Sequence, residues 1–296
     1  MKNWLLGWVV LGVLAGCETV PQQVLPYILA DGQGGADLHL YDVAAGTSIP
    51  LKQTPGVQEA DPAVDFTGQR VAYVTKQGNA DQFDYRLSTY DLQTGLTAEL
   101  LRSTEPIFSP VFSNDAKQLA YVLLIEGRLQ IQVKDLTSDS EPKTIGFGSS
   151  PSWRIDDRAI FYSSRDTLDA TSGELMVHEL KTGLNQSLAL RGNGFANLPR
   201  GTSVVYTALP YSRRNDAVWL IDANSRQSRL SSPGKTSIDS DPVHINGTKF
   251  VAFTRTEVAT GKASIYVVQR FAENPVEALL FEAEGNAYTA RSYLSR

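Results

Sequence analysis

Apolar residues recur along this chain in short unbroken runs, each followed by an alternating run. The unbroken runs are residues 27–30, 71–75, 119–124, 159–163, 203–208 and 250–254. Runs of this length, rich in β-branched and aromatic residues and bounded by turn formers, predict strands buried on both faces. The alternating runs are 38–43, 87–92, 129–136, 175–180, 218–223 and 264–269, and they predict strands with one buried face. A shorter strand is predicted after each, at 48–51, 97–100, 143–146, 186–190, 228–231 and 277–281.

A further segment precedes most of the unbroken runs. Residues 62–74, 110–122, 151–164 and 242–254 each open on a proline and place an aromatic residue or histidine near it. A Gly, Asn or Asp turn follows, and then the apolar run. Residues 197–207 are a weaker copy without the first proline. Asn-Gly, Asp-Asp and Thr-Gly pairs supply hairpin turns.

The period decides the architecture. Tyr73, Tyr121, Tyr162, Tyr206 and Phe253 mark the same strand, at intervals of 48, 41, 44 and 47 residues. Four strands per repeat of roughly 40–50 residues predict the blades of a β-propeller. The first repeat lacks its opening strand, and the C-terminal residues 288–296 have the character of one. Residues 291–294, Arg291 among them, are therefore expected to pair with 27–30. The expectation is an all-β, six-bladed β-propeller of four-stranded antiparallel blades, closed by the C-terminal strand completing blade one.

Composition narrows the function. The net charge is −5 and no Lys/Arg block is present, which argues against a nucleic-acid surface. The one cysteine, Cys17, follows a basic start, an apolar run over 4–14, and Leu14-Ala15-Gly16. That run is too short to span a bilayer as a helix, which takes roughly 20 residues, and suits a secretory signal. Leu14 to Cys17 resembles the bacterial lipobox. The resemblance implies cleavage before Cys17 and its acylation, with Glu18 next to it favouring the outer membrane. Residues 1–16 are read as signal peptide, 17–26 as a lipidated tether and 27–296 as the propeller.

The repeats resemble the PD40, or TolB-like, propeller repeat. The resemblance rests on residues 110–121 with Asp135, on 151–162, on Tyr41-Asp42-Val43, and on Tyr90-Asp91-Leu92-Gln93-Thr94-Gly95. It covers almost all of the chain after Cys17. It implies the propeller fold, and the α/β domain that accompanies the propeller in the family's namesake is expected to be absent.

Catalytic signals are few. His39, His178 and His244 show no metal-ligand spacing, no Gly-x-Ser-x-Gly elbow occurs, and Gly234-Lys235-Thr236 reads as a surface loop. No metal and no cofactor are expected. Acidic residues gather before the proline segments: Glu59 and Asp61, Glu105, and Asp239 and Asp241. Two readings stand. Asp61, Asp241, His244 and Arg291 form a channel mouth for a cation or a positively charged peptide, or the acids satisfy local backbone donors. The long loops after the apolar strands carry Phe83, Tyr85, Tyr211, Arg213 and Arg214, residue types that anchor interfaces. The expectation is a non-catalytic envelope lipoprotein facing the periplasm, binding a protein or glycan. The alternatives are a metal-dependent propeller lactonase or lyase, and a structural subunit of an envelope complex.

Overall fold

The computed structural model describes residues 23–30, 35–79, 82–170, 172–197, 204–208, 216–222 and 226–289. The chain runs through β1 (Val24–Ala30), β2 (Ala36–Asp42) and β3 (Thr47–Lys52), then β4 (Val57–Val64), β5 (Arg70–Asn79), β6 (Gln82–Asp91) and β7 (Thr97–Ser103). The next strands are β8 (Ile107–Phe112), β9 (Gln118–Ile125), β10 (Arg128–Asp135) and β11 (Lys143–Phe147). They lead into β12 (Ser149–Trp153), β13 (Ala159–Ser163), β14 (Gly173–Glu179) and β15 (Asn185–Asn197). The chain continues through β16 (Val204–Ala208), β17 (Ala217–Ile221) and β18 (Gln227–Arg229). It ends in β19 (Ser237–His244), β20 (Phe250–Glu257), β21 (Ala263–Gln269), β22 (Glu277–Leu279) and β23 (Asn286–Tyr288).

Hydrogen bonding corrects the expected six separate blades. Among the described residues the strands join into four sheets, of eight, four, seven and four strands. Two features fuse what the repeats would keep apart. β15 is one 13-residue strand that pairs with β14 along its first part and with β16 along its last. β2 and β4 share a parallel bridge, Ala36 opposite Gln58.

The unbroken apolar runs are the most buried strands, as their pattern requires. Val71, Ala72 and Val74 on β5, Leu119 to Val122 on β9, and Val251 to Phe253 on β20 are all buried. Their side chains pack between neighbouring sheets. Ala72, Val74 and Leu87 meet Ile107, Leu119 and Tyr121. Phe108, Val122 and Leu129 meet Trp153, Ile160 and Tyr162. Val205, Val218 and Leu220 meet Val251, Phe253 and Val268. Leu25, Tyr27 and Tyr41 meet Ile245, Ala252 and Ile265, which brings the last sheet against the first. The eight-stranded sheet also folds on itself, packing Ile28 and Leu38 against Val71 and Tyr73.

The outer turns after β2 and β6 use one device. In the turn after β2, Asp42 Oδ1 accepts the N–H groups of Ala44 and Ala45, and Gly46 donates back to the Asp42 carbonyl. After β6, Asp91 does the same with Gln93, Thr94 and Gly95. Gly46 and Gly95 have φ of 66° and 71°, the left-handed region where glycine is favoured.

Closure differs from expectation. β23, residues 286–288, pairs with β1, with Ile28 opposite Tyr288 and Ala30 opposite Asn286. Arg291 and the rest of 291–294 lie outside the described residues. The reason is steric. Gly285 lies so close to Ala30 that a Cβ would run into the Ala30 carbonyl oxygen, and Ala287 is buried against the first strands. Small residues allow this close approach. Phe281 adds to the seam by stacking on Tyr41, with ring centroids 4.6 Å apart. β1 also begins earlier than expected, because Val24 and Leu25 are buried.

The seam is testable. Gly285→Ala should destabilise the fold by about 1–3 kcal/mol, since overpacking forces the backbone to shift. Amide exchange at Leu29 and Ala30 should rise more than in β9. Unchanged exchange at those two residues would count against this account of closure.

Candidate functional site

Four strands meet around one cavity, and each bends at the same place. Asp61, Ser109, Ser150 and Asp241 each precede a proline, and each has a positive φ of 47°, 48°, 53° and 50°. The pairing register slips beside each of them, in β4, β8, β12 and β19. These are β-bulges, which re-aim side chains and interrupt a ladder. Proline suits the position because it has no N–H to leave unpaired. A non-glycine residue held at positive φ costs of order 1–3 kcal/mol and persists only where its surroundings impose it.

The surroundings do so through bonds between sheets. The Ser109 N–H donates to Asp61 Oδ2 at 2.8 Å. Asn114, in the turn after β8, donates from its backbone and side chain to Asp157 Oδ1, and from Nδ2 to the Arg154 carbonyl. Arg70 Nη2 donates to the Ala116 carbonyl, and Asn246 Nδ2 to the Asp65 carbonyl at 2.9 Å. Thr289 Oγ1 donates to the Asp241 carbonyl at 2.7 Å. The inner turns thus lie together on one face and lock the bulges around the axis.

The cavity they enclose is about 200 Å³. The four pre-proline residues line its wall, with His244, Asn114 and Asn246, and Phe66, Phe112 and Trp153 give it an apolar side. Its polar groups are not all satisfied within the protein. Asp61 is 3% exposed, and its Oδ1 is buried without a hydrogen-bond partner. Burial pushes this carboxyl up to about 7; the Ser109 N–H opposes the shift and the charge of Asp241 adds to it. Burial pushes Asp241 up to about 6, against a hydrogen bond from Ser240. Burial and the charge of Arg270 push His244 down to about 4, so its imidazole is neutral near pH 7. His244 Nε2 faces the Thr248 carbonyl at 3.2 Å, which makes Nε2 the donor and leaves Nδ1 an acceptor. That Nδ1 is buried and unpartnered.

Asp61, Asp241 and His244 all line this cavity. Ser109 and Ser150 join them at the equivalent positions of β8 and β12. The signal that could have found them was the Xaa-Pro pair at a fixed place in each repeat. Glu59 is buried outside this cavity, and burial, then the nearby Asp37, pushes it up to about 8. Asp239, three residues before its proline like Glu59, is instead gripped by Arg255 through two bonds of 2.7 and 2.8 Å.

The loop residues divide. Phe83 is half-buried, with the Lys76 ammonium 3.9 Å from its ring centre. Tyr85 is 5% exposed and belongs to the core beside Leu87, so its ring is not offered to solvent. Cys17, Tyr211, Arg213 and Arg214 lie outside the described residues. His39 and His178 sit on β2 and β14, away from the cavity, and His178 Nδ1 meets Asn185 Oδ1 at 2.9 Å. Among the described residues no three His, Cys, Asp or Glu side chains stand close enough to hold a metal ion.

No family model matches the chain. Over 78 residues it is 36% identical to the Tol-Pal system protein TolB of Hahella chejuensis, a stretch covering 26% of this chain and 18% of that protein. Over 87 residues it is 34% identical to TolB of Chromobacterium violaceum, covering 29% and 19%. Its fold superposes on TolB from Acinetobacter baumannii with a TM-score of 0.72 at 16% identity, covering 90% of this chain and 65% of that one. In fold the chain resembles the TolB β-propeller. The stretch this TolB-like propeller shares with those curated relatives is less than a fifth of their length. It also superposes on an oligogalacturonate lyase in complex with manganese, with a TM-score of 0.53 at 15% identity, covering 79% and 71%. At such identities the likeness to solved structures is one of fold.

The two axial carboxyls make stability depend on pH. Both ionise higher in the folded chain than unfolded, so their contribution is complete below about pH 4 and is lost as pH rises through about 6 and 7. The double variant Asp61→Asn/Asp241→Asn should therefore flatten the fall in melting temperature between about pH 4 and pH 7. A profile parallel to the parent's would show that these residues are not the ones titrating.

Proposed function

We propose that this TolB-like propeller is a non-catalytic binding scaffold of the bacterial envelope. It is lipid-anchored at Cys17 in the outer membrane, faces the periplasm, and receives a donor-rich group of a protein or glycan partner in its axial cavity. The observation that carries the reading is the set of unpartnered acceptors there. Asp61 Oδ1 and His244 Nδ1 are buried without donors, beside the carboxyl of Asp241. A buried acceptor left unmade costs about 1–3 kcal/mol, so an ammonium, guanidinium or hydroxyl that fills it is favoured. The apolar side formed by Phe66, Phe112 and Trp153 suits the stem of a basic side chain or the face of a sugar. Relatives named for the Tol-Pal system support a role in an envelope assembly. The lipobox-like Leu14-Ala15-Gly16-Cys17 supports the anchor.

Cross-linking the full chain in membranes, followed by purification, tests the reading. The parent should bring down a partner in fixed proportion, and Asp61→Asn/Asp241→Asn should reduce that yield at least ten-fold, in line with the loss of about 2–5 kcal/mol when one side of a buried charged contact is removed. Equal yield from the folded double variant would overturn the cavity as the contact site. Incorporation of labelled palmitate should vanish in Cys17→Ser; label retained there would overturn the anchor.

A further inference from the structure

The four most exposed large apolar side chains among the described residues share one kind of position. Val276 is 77% exposed, Leu96 70%, Leu184 66% and Phe271 64%. Each lies in the turn that joins an alternating strand to the outer strand after it: β6 to β7, β14 to β15, and β21 to β22. In an antiparallel meander these turns lie at the same end as the inner turns, which are bonded to one another around the axis. All four side chains therefore mark one face of the ring.

The backbone fixes the turns that carry Leu96 and Leu184. Gly95 and Gly183 both have φ of 71°, and each turn is closed by a bond from its first residue, Asp91 or Glu179, to the carbonyl of Leu96 or Leu184. Leu96 and Leu184 also donate their N–H groups to Thr94 and Thr182 Oγ1. Turn closure needs no leucine at this position. Phe271 has φ of 59°, with the Arg270 guanidinium 5.4 Å from its ring centre.

The chain reaches β1 from this same face. The Gln23 carbonyl accepts the Val43 N–H beside the β2–β3 turn, and Asp42 begins that turn. Six residue steps separate Gln23 from Cys17, so a lipid on that cysteine lies within about 20 Å of Gln23 at full extension.

We propose that this turn face rests on the bilayer surface, with Leu96, Leu184, Phe271 and Val276 set into the headgroup boundary. The assignment rests on the anchor at Cys17 proposed above. Apolar side chains lying in the interface add membrane affinity to that of an acyl anchor.

The test uses the full-length lipoprotein in vesicles of phosphatidylethanolamine and phosphatidylglycerol that carry a lipid-borne quencher. Acylation consumes the native thiol of Cys17, so an introduced cysteine takes an environment-sensitive fluorophore alone. Leu96→Cys, Leu184→Cys and Phe271→Cys report on the turn face. Val258→Cys, 59% exposed in the loop between β20 and β21, reports on the opposite one. Vesicle flotation of the parent comes first. Quenching at the three turn positions should exceed that at Val258→Cys at least two-fold. Flotation with equal or stronger quenching at Val258→Cys overturns the assignment and leaves the anchor standing. A parent chain that does not float overturns the anchor and the assignment with it.

Discussion

β4, β8, β12 and β19 converge on one axis, and each is forced there into a left-handed residue ahead of proline. That geometry is unfavourable for any single strand. It is held because the turns just beyond it are bonded across sheet boundaries, Asn114 to Asp157, Arg70 to Ala116 and Asn246 to Asp65. The same bends shape the cavity wall. Support of the fold and shaping of the cavity therefore draw on the same few residues.

Packing between sheets supplies the complementary constraint. The buried strands β5, β9 and β20 present apolar residues on both faces, so each needs a neighbour on either side. A row of such sheets satisfies that need only by returning on itself. The contact of Leu25, Tyr27 and Tyr41 with Ile245, Ala252 and Ile265 is where it returns. A hydrophobic seam of this kind tolerates a short backbone closure, and the described closure is three residue pairs between β1 and β23.

How much of this was legible beforehand depends on the kind of interaction. Burial on both faces writes itself into composition, so the apolar strands and their period could be read directly. Hydrogen bonding between repeats leaves no such mark. Nothing in the hydropathy of residues 185–197 announces that β15 runs on from one partner strand to another, and the lone Ala36–Gln58 bridge is a matter of backbone position. Closure falls earlier in the chain than the expected 291–294, at residues 286–288. The actual seam needed the smallness of Gly285 and Ala287. At the cavity the acids were visible as acids, while Ser109 and Ser150 share with them a backbone conformation that residue type alone does not reveal.

The prolines that follow the four bends have a consequence for how any guest is read. β8, β12 and β19 are the edges of their sheets, and an open edge ordinarily invites an extended segment to add itself as one more strand. Here the ladder is broken at each bend and the next residue has no amide hydrogen to offer. A visiting chain cannot zip along the axis by main-chain pairing. On the binding reading proposed above, discrimination would rest on side-chain chemistry and not on main-chain pairing.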